Sequence, residues 1–99
     1  MKAAFMFIAP ETDHETHQAV ITTPVAELTV VGVKNYQETE MIAKKLVEDG
    51  IQVIELCAGF GNNGVAAVNR AIKGQIPVGV VRFDHHPGFG FKSGDALFE

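Results

Sequence analysis

Ile51-Gln52-Val53-Ile54-Glu55-Leu56-Cys57-Ala58-Gly59-Phe60-Gly61-Asn62-Asn63-Gly64 reads as a strand that breaks into a glycine-rich turn and then opens a helix. Three further β-type runs, Ala3 to Ala9, Glu27 to Val33 and Val78 to Phe83, flank it along the chain. All four are mostly continuous in apolar character rather than alternating, the pattern of strands buried on both faces of a parallel sheet. Their C-terminal ends fall 24, 24 and 26 residues apart, which is room for a strand, a crossover helix and two short loops.

The connections carry helix punctuation. Thr12 with Glu15 forms a capping box for a helix to about Ile21, closed by Thr22-Thr23-Pro24. Asn35 with Glu38 caps a second, with Met41, Ile42, Leu46 and Val47 as its buried stripe and Gly50 as its stop. Asn62 or Asn63 caps a third that buries Val65, Val68 and Ile72 and ends at Gly74. These elements predict an α/β fold of three layers, with a four-stranded parallel sheet in the flavodoxin- or Rossmann-like order 2-1-3-4. That single βα-repeat domain spans residues 1–83 and is followed by an irregular C-terminal tail, 84–99, which holds Phe89, Phe91 and Phe98 and is expected to lie on the domain or on a neighbouring subunit. A half-barrel of four βα units, closed by a second copy, is the alternative.

Ninety-nine residues suffice for one core and one domain and exclude a two-domain enzyme. A net charge of −4 is the wrong sign for gripping nucleic acid. No 18-residue apolar run is present to span a bilayer, so no membrane partner is expected. The lone Cys57 suits a reducing, cytoplasmic setting.

Right-handed crossovers between parallel strands gather their C-terminal ends on one edge, where open α/β sheets bind ligands. That edge collects Glu11, the segment Glu55 to Gly64, and Arg82 to His86. Gly59, Gly61 and Gly64 have G-x-G-x-x-G spacing, with Asp84 lying 25 residues beyond Gly59. Glycines let backbone N–H groups approach an anion, and the helix N-terminus adds partial positive charge. Expected ligand contacts are therefore Glu11, Cys57, Gly59, Phe60, Gly61, Asn62, Asn63, Gly64 and Arg82. The same glycines also serve a tight βα turn with no ligand. Too little chain remains for a nicotinamide half, and Glu55 departs from the apolar strand of the dinucleotide fingerprint. Cys57 reads either as a nucleophile at a helix N-terminus or as a small buried hydrophobe. Glu55, Asp84 and His86 are the candidate general bases, and Glu55 can instead pair with Arg82. His14 and His17, at i and i+3, and His85-His86 can join carboxylates around a metal, or stand as solvated histidines. No metal site and no cofactor is assigned.

The runs Phe5-Met6-Phe7-Ile8-Ala9-Pro10, Val30-Val31-Gly32-Val33, Ile54 to Gly61, Val78 to Asp84 and Lys92-Ser93-Gly94-Asp95 together resemble a family of small bacterial and archaeal proteins labelled as a domain of unknown function. The likeness covers nearly the whole chain and implies a compact, stand-alone α/β protein of a prokaryotic cytoplasm. It brings no activity and no catalytic residue. The function expected first is binding of a small anionic metabolite, a phosphate or carboxylate, at the C-terminal edge of the sheet. A small lyase or isomerase with Glu55, Asp84 or His86 as general base is the second reading. An assembly subunit without a small ligand is the third. A four-stranded sheet leaves edges or faces that a homo-oligomer, a dimer first of all, would cover.

Overall fold

In the computed structural model, which describes residues 1–99, the strands are β1 (Lys2–Ile8), β2 (Gln18–Thr22), β3 (Glu27–Val33), β4 (Val53–Leu56) and β5 (Val78–Val80). Helix α1 (Tyr36–Glu48) joins β3 to β4, α2 (Asn62–Ile72) joins β4 to β5, and a 3-10 turn (Pro87–Phe89) and α3 (Asp95–Phe98) follow. The sheet order is β2-β3-β1-β4-β5, with β2 antiparallel to β3 and every other pair parallel. This corrects the expected four-stranded parallel sheet in order 2-1-3-4, and the half-barrel with it.

The error lies in one connection. Residues 12–21 form a turn and an edge strand rather than a capped helix. Thr12 is buried, and Asp13 makes the turn instead: its carboxylate accepts from the Glu15 N–H at 3.1 Å and from the Thr16 hydroxyl at 2.9 Å. The Glu15 bond leads, and with Thr16 it holds the Asp13 carboxyl below the usual carboxylate range. Beyond the turn, Val20, Ile21, Thr22 and Thr23 are β-branched, poor in helices and suited to strands. Thr23 then closes a hairpin, its hydroxyl accepting from the Ala26 N–H at 3.0 Å while its own N–H donates to the Ala26 carbonyl at 2.8 Å.

The same substitution removes the third layer. The crossovers β3→α1→β4 and β4→α2→β5 run in one direction across the sheet, so right-handedness puts both helices on one face. A helix on the other face would have to come from the oppositely directed β1→β3 connection, which contains β2 instead. The core follows: Ala4, Met6 and Ile8 of β1, Val31 and Val33 of β3, and Ile54 and Leu56 of β4 meet Ile42, Ala43 and Leu46 of α1 and Val68 and Ile72 of α2. Met41, expected in the α1 stripe, is exposed, and Tyr36 and Thr39 are buried in its place.

The opposite face carries no helix. Across the strands one row there runs Ala19, Val30, Phe5, Glu55, Gly79, and the next runs Ile21, Leu28, Ala3, Val53.

The helix ends match their sequence signals closely. The Asn35 side chain accepts from the Glu38 N–H at 2.8 Å, and Gly50 follows α1 at φ +89°. Helix α2 begins one residue earlier than an Asn62 cap implies, with Gly61 at the cap position and no side chain of its own to cap with.

Candidate functional site

The parallel strands do bring their C-terminal ends to one edge, where the Cys57 N–H donates to the Met6 carbonyl and the Val81 N–H to the Leu56 carbonyl. The glycine-rich turn sits at that edge, and the chain's own tail fills it. Asp95 lies over the start of α2, accepting from the Asn63 N–H with both carboxylate oxygens at 3.1 Å. Tyr36 donates its hydroxyl to Asp95 Oδ1 at 2.7 Å and accepts from the Gly61 N–H at 2.9 Å. Burial first, then the Asp95 hydrogen bond, pushes the Tyr36 phenol well above its ordinary value of 10. The missing side-chain cap of α2 is thus supplied from 32 residues away in sequence.

Each glycine of the turn has an internal neighbour that accounts for it. A Cβ at Gly59 would meet Ile8 Cγ2 at 2.8 Å, one at Gly61 would collide with the Asp95 carboxylate, and one at Gly64 would lie 2.6 Å from the Tyr36 ring. The tail has its own, Gly94, pressed against the Gly59 carbonyl.

The remaining expected contacts are distributed around this latch. Phe60 is buried and stacks on Tyr36, with centroids 6.2 Å apart. Cys57 is half-buried, its Sγ accepting from the Gly59 N–H at 3.3 Å. Asn62 is exposed, and the Asn63 side chain donates to Glu99. Glu11 is exposed in the turn after β1, at φ +59°.

Arg82 pairs with Asp84 at 2.8 Å on the surface, so the expected Glu55–Arg82 pair is not the one formed. Glu55 stands exposed on the helix-free face of the sheet, beside Phe5 and Gly79. His86 lies between Phe83 and Phe89, its Nδ1 accepting from the Gly88 N–H at 3.0 Å. The three candidate bases are therefore held by three separate sets of neighbours. No three His, Cys, Asp or Glu side chains converge as a metal set.

A cavity of about 360 Å³ lies elsewhere, where β2 and β3 overhang the helix layer beside α1. Its floor is aliphatic and buried: Val31, Ile42, Leu46 and Ile51. Val20 of the edge strand forms the opposite wall. Lys2, Lys45, His14, Glu15, Glu27 and Asp49 ring the opening. Lys2 Nζ donates to the Asp49 carbonyl at 2.9 Å, tying β1 to the C-terminus of α1, whereas Lys45 makes no ion pair. Sequence reasoning missed this trough because one of its walls is β2, which it had read as a helix. A second groove of about 300 Å³ between α1 and α2 has Phe98 and Glu99 of the tail among its lining residues.

The model of a family described as Family of unknown function (DUF6506) matches residues 1–96. No curated protein and no solved structure matches the chain.

Proposed function

The chain belongs to this family of unknown function, and we propose that it is a non-enzymatic binding protein for a small carboxylate with an aliphatic body, held in the trough between α1 and β2–β3. The trough itself carries the reading: a cavity of about 360 Å³ with four buried aliphatic side chains beneath it and charges of both signs around it. Ligand pockets usually combine an apolar lining with a few orienting polar groups, at volumes of roughly 300–1,000 Å³. Three carboxylates and two lysines at the opening suit a zwitterion of amino-acid size better than a purely anionic molecule. Its carboxylate would meet Lys45, whose ammonium has no hydrogen-bond or ion-pair partner, whereas that of Lys2 is engaged by the Asp49 carbonyl. Its ammonium would meet Glu15 or Glu27, and its side chain the aliphatic floor. A cytoplasmic setting, with Cys57 kept reduced, is part of the same proposal.

The expected anion site at Gly59 to Gly64 remains as a second reading, favoured by one observation: the turn already holds a carboxylate, that of Asp95. A free phosphate or carboxylate would bind there by exchange with Asp95. Titration of the full chain with leucine, and separately with inorganic phosphate, followed by backbone amide resonances, tests both readings. Leucine is expected to move Val20, Ile42 and Lys45 and to lose roughly tenfold or more in affinity in Lys45→Glu. Phosphate shifts at Gly61 and Asn63 that grow in Asp95→Asn would favour the exchange reading. A spectrum unmoved by leucine overturns the trough.

A further inference from the structure

We propose that His14 selects the ligand of the trough, its neutral ring accepting a hydrogen bond from the ligand's ammonium beside Glu15. The site then prefers a zwitterionic amino acid to the same carboxylate without its amino group, and lets it go when the ring is protonated. This rests on the trough reading and narrows it. His14 differs from its surroundings in two ways. It lines the trough and is half-buried, whereas every other residue from Asp13 to Val25 is exposed. Its ring also has no partner in the protein. The other three histidines are each tied to the backbone: His17 to the Asp13 N–H, His85 to the Phe91 carbonyl and His86 to the Gly88 N–H. A ring turned in from an exposed turn, with both nitrogens unengaged, has its hydrogen bonds left for whatever fills the trough.

The charges around the opening decide which end of a zwitterion it meets. Asp13 and Glu15 stand beside His14 on its own turn, Glu27 comes from β3, Lys45 and Asp49 from α1 and its end, and Lys2 from β1. Glu27 is the register partner of Lys2, so a cation already stands at that end and opposes a second one. At the other end the turn offers two carboxylates, Asp13 and Glu15, and the His14 ring. A ligand carboxylate is repelled there and an ammonium attracted. A neutral imidazole has one acceptor nitrogen to give that ammonium, and a protonated one has none and adds a like charge. Histidine makes this change between pH 5 and 8. The ligand and the proton therefore compete for His14.

The test titrates the full chain with leucine and with 4-methylpentanoate, which is leucine without its amino group, at about pH 8 and about pH 5.5. Calorimetry gives the affinities, and the histidine ring resonances are followed alongside the backbone amides. At the higher pH leucine is expected to bind roughly tenfold more tightly than 4-methylpentanoate or better. Its affinity should fall roughly tenfold at the lower pH, while that of 4-methylpentanoate does not fall. In His14→Gln, shown to be folded by circular dichroism, leucine affinity should no longer change with pH. Should that variant not fold, the wild-type ring decides: leucine is expected to shift His14 and to leave His85 and His86 in place. Leucine that moves the Lys45 amide but not the His14 ring overturns the role of His14 and leaves the trough standing. So does equal affinity for the two ligands at the higher pH, or a pH dependence that survives in a folded His14→Gln. A chain that responds to neither ligand overturns the trough, and this inference with it.

Discussion

Tyr36 is where three parts of the chain meet: it opens α1, its hydroxyl joins Gly61 to Asp95, and its ring packs against Phe60 and Gly64. It is also the only tyrosine, in a chain with no tryptophan, so tyrosinate absorbance reports on it alone. Its pKa is raised in the fold, so above pH about 10 the unfolded chain loses a proton that the native one keeps. The stability tied to Tyr36 is thus fully present below pH 10 and falls as pH rises towards the folded value. A native titration midpoint above 10 is expected, together with a decline in unfolding free energy above pH 10 that is shallower in Tyr36→Phe; a midpoint at 10 would refute it. At this scale the glycine turn was legible, because Gly59, Gly61 and Gly64 are forced by close approach. Its occupant was not. Nothing local to Ser93-Gly94-Asp95 says that a carboxylate in the tail reaches an amide at position 63.

The element that decided the topology is β2. Thr12 with Glu15 satisfies the pattern of a capping box, but a box stabilises only a helix that can propagate, and β-branched Val20 to Thr23 cannot extend one cheaply. The local cap signal was present, and the hairpin beyond it overrode it. Runs β1 and β3 were legible as strands because each is seven residues long and mostly apolar, and the four-residue β4 because its apolar run breaks into the glycine-rich turn. An edge strand exposed along its whole length offers no such pattern. Antiparallel bonded pairs recur at every second residue. The bonds from Gly32 N–H to His17 carbonyl and from Thr23 N–H to Ala26 carbonyl therefore turn Ala19 towards β3 and Val20 outward. Ala19→Pro is expected to cost about 1–3 kcal/mol in chemical denaturation, because it removes a ladder donor and strands its acceptor. Val20→Pro should cost well under half of that. Equal losses would contradict the pairing.

On the scale of the whole molecule, the apolar continuity of the strands suggested burial on both faces, and the structure buries one. The sequence pattern was real in physical terms: Phe5, Val30 and Val53 are as apolar as residues under a helix layer. What covers such a face is not written in the period of a strand, and only the direction of the crossovers shows that both helices lie on one side. The position of β1 has a further consequence, one in time. It precedes both strands it pairs with, and its partners lie about 25 residues away in β3 and about 50 away in β4. Only the β2–β3 hairpin closes a short loop. Ordering long loops costs entropy before any contact repays it, so the hairpin can form early while the future centre of the sheet waits unpaired. During synthesis the centre of the sheet gains its first parallel partner with β3 and its second only once β4 has emerged.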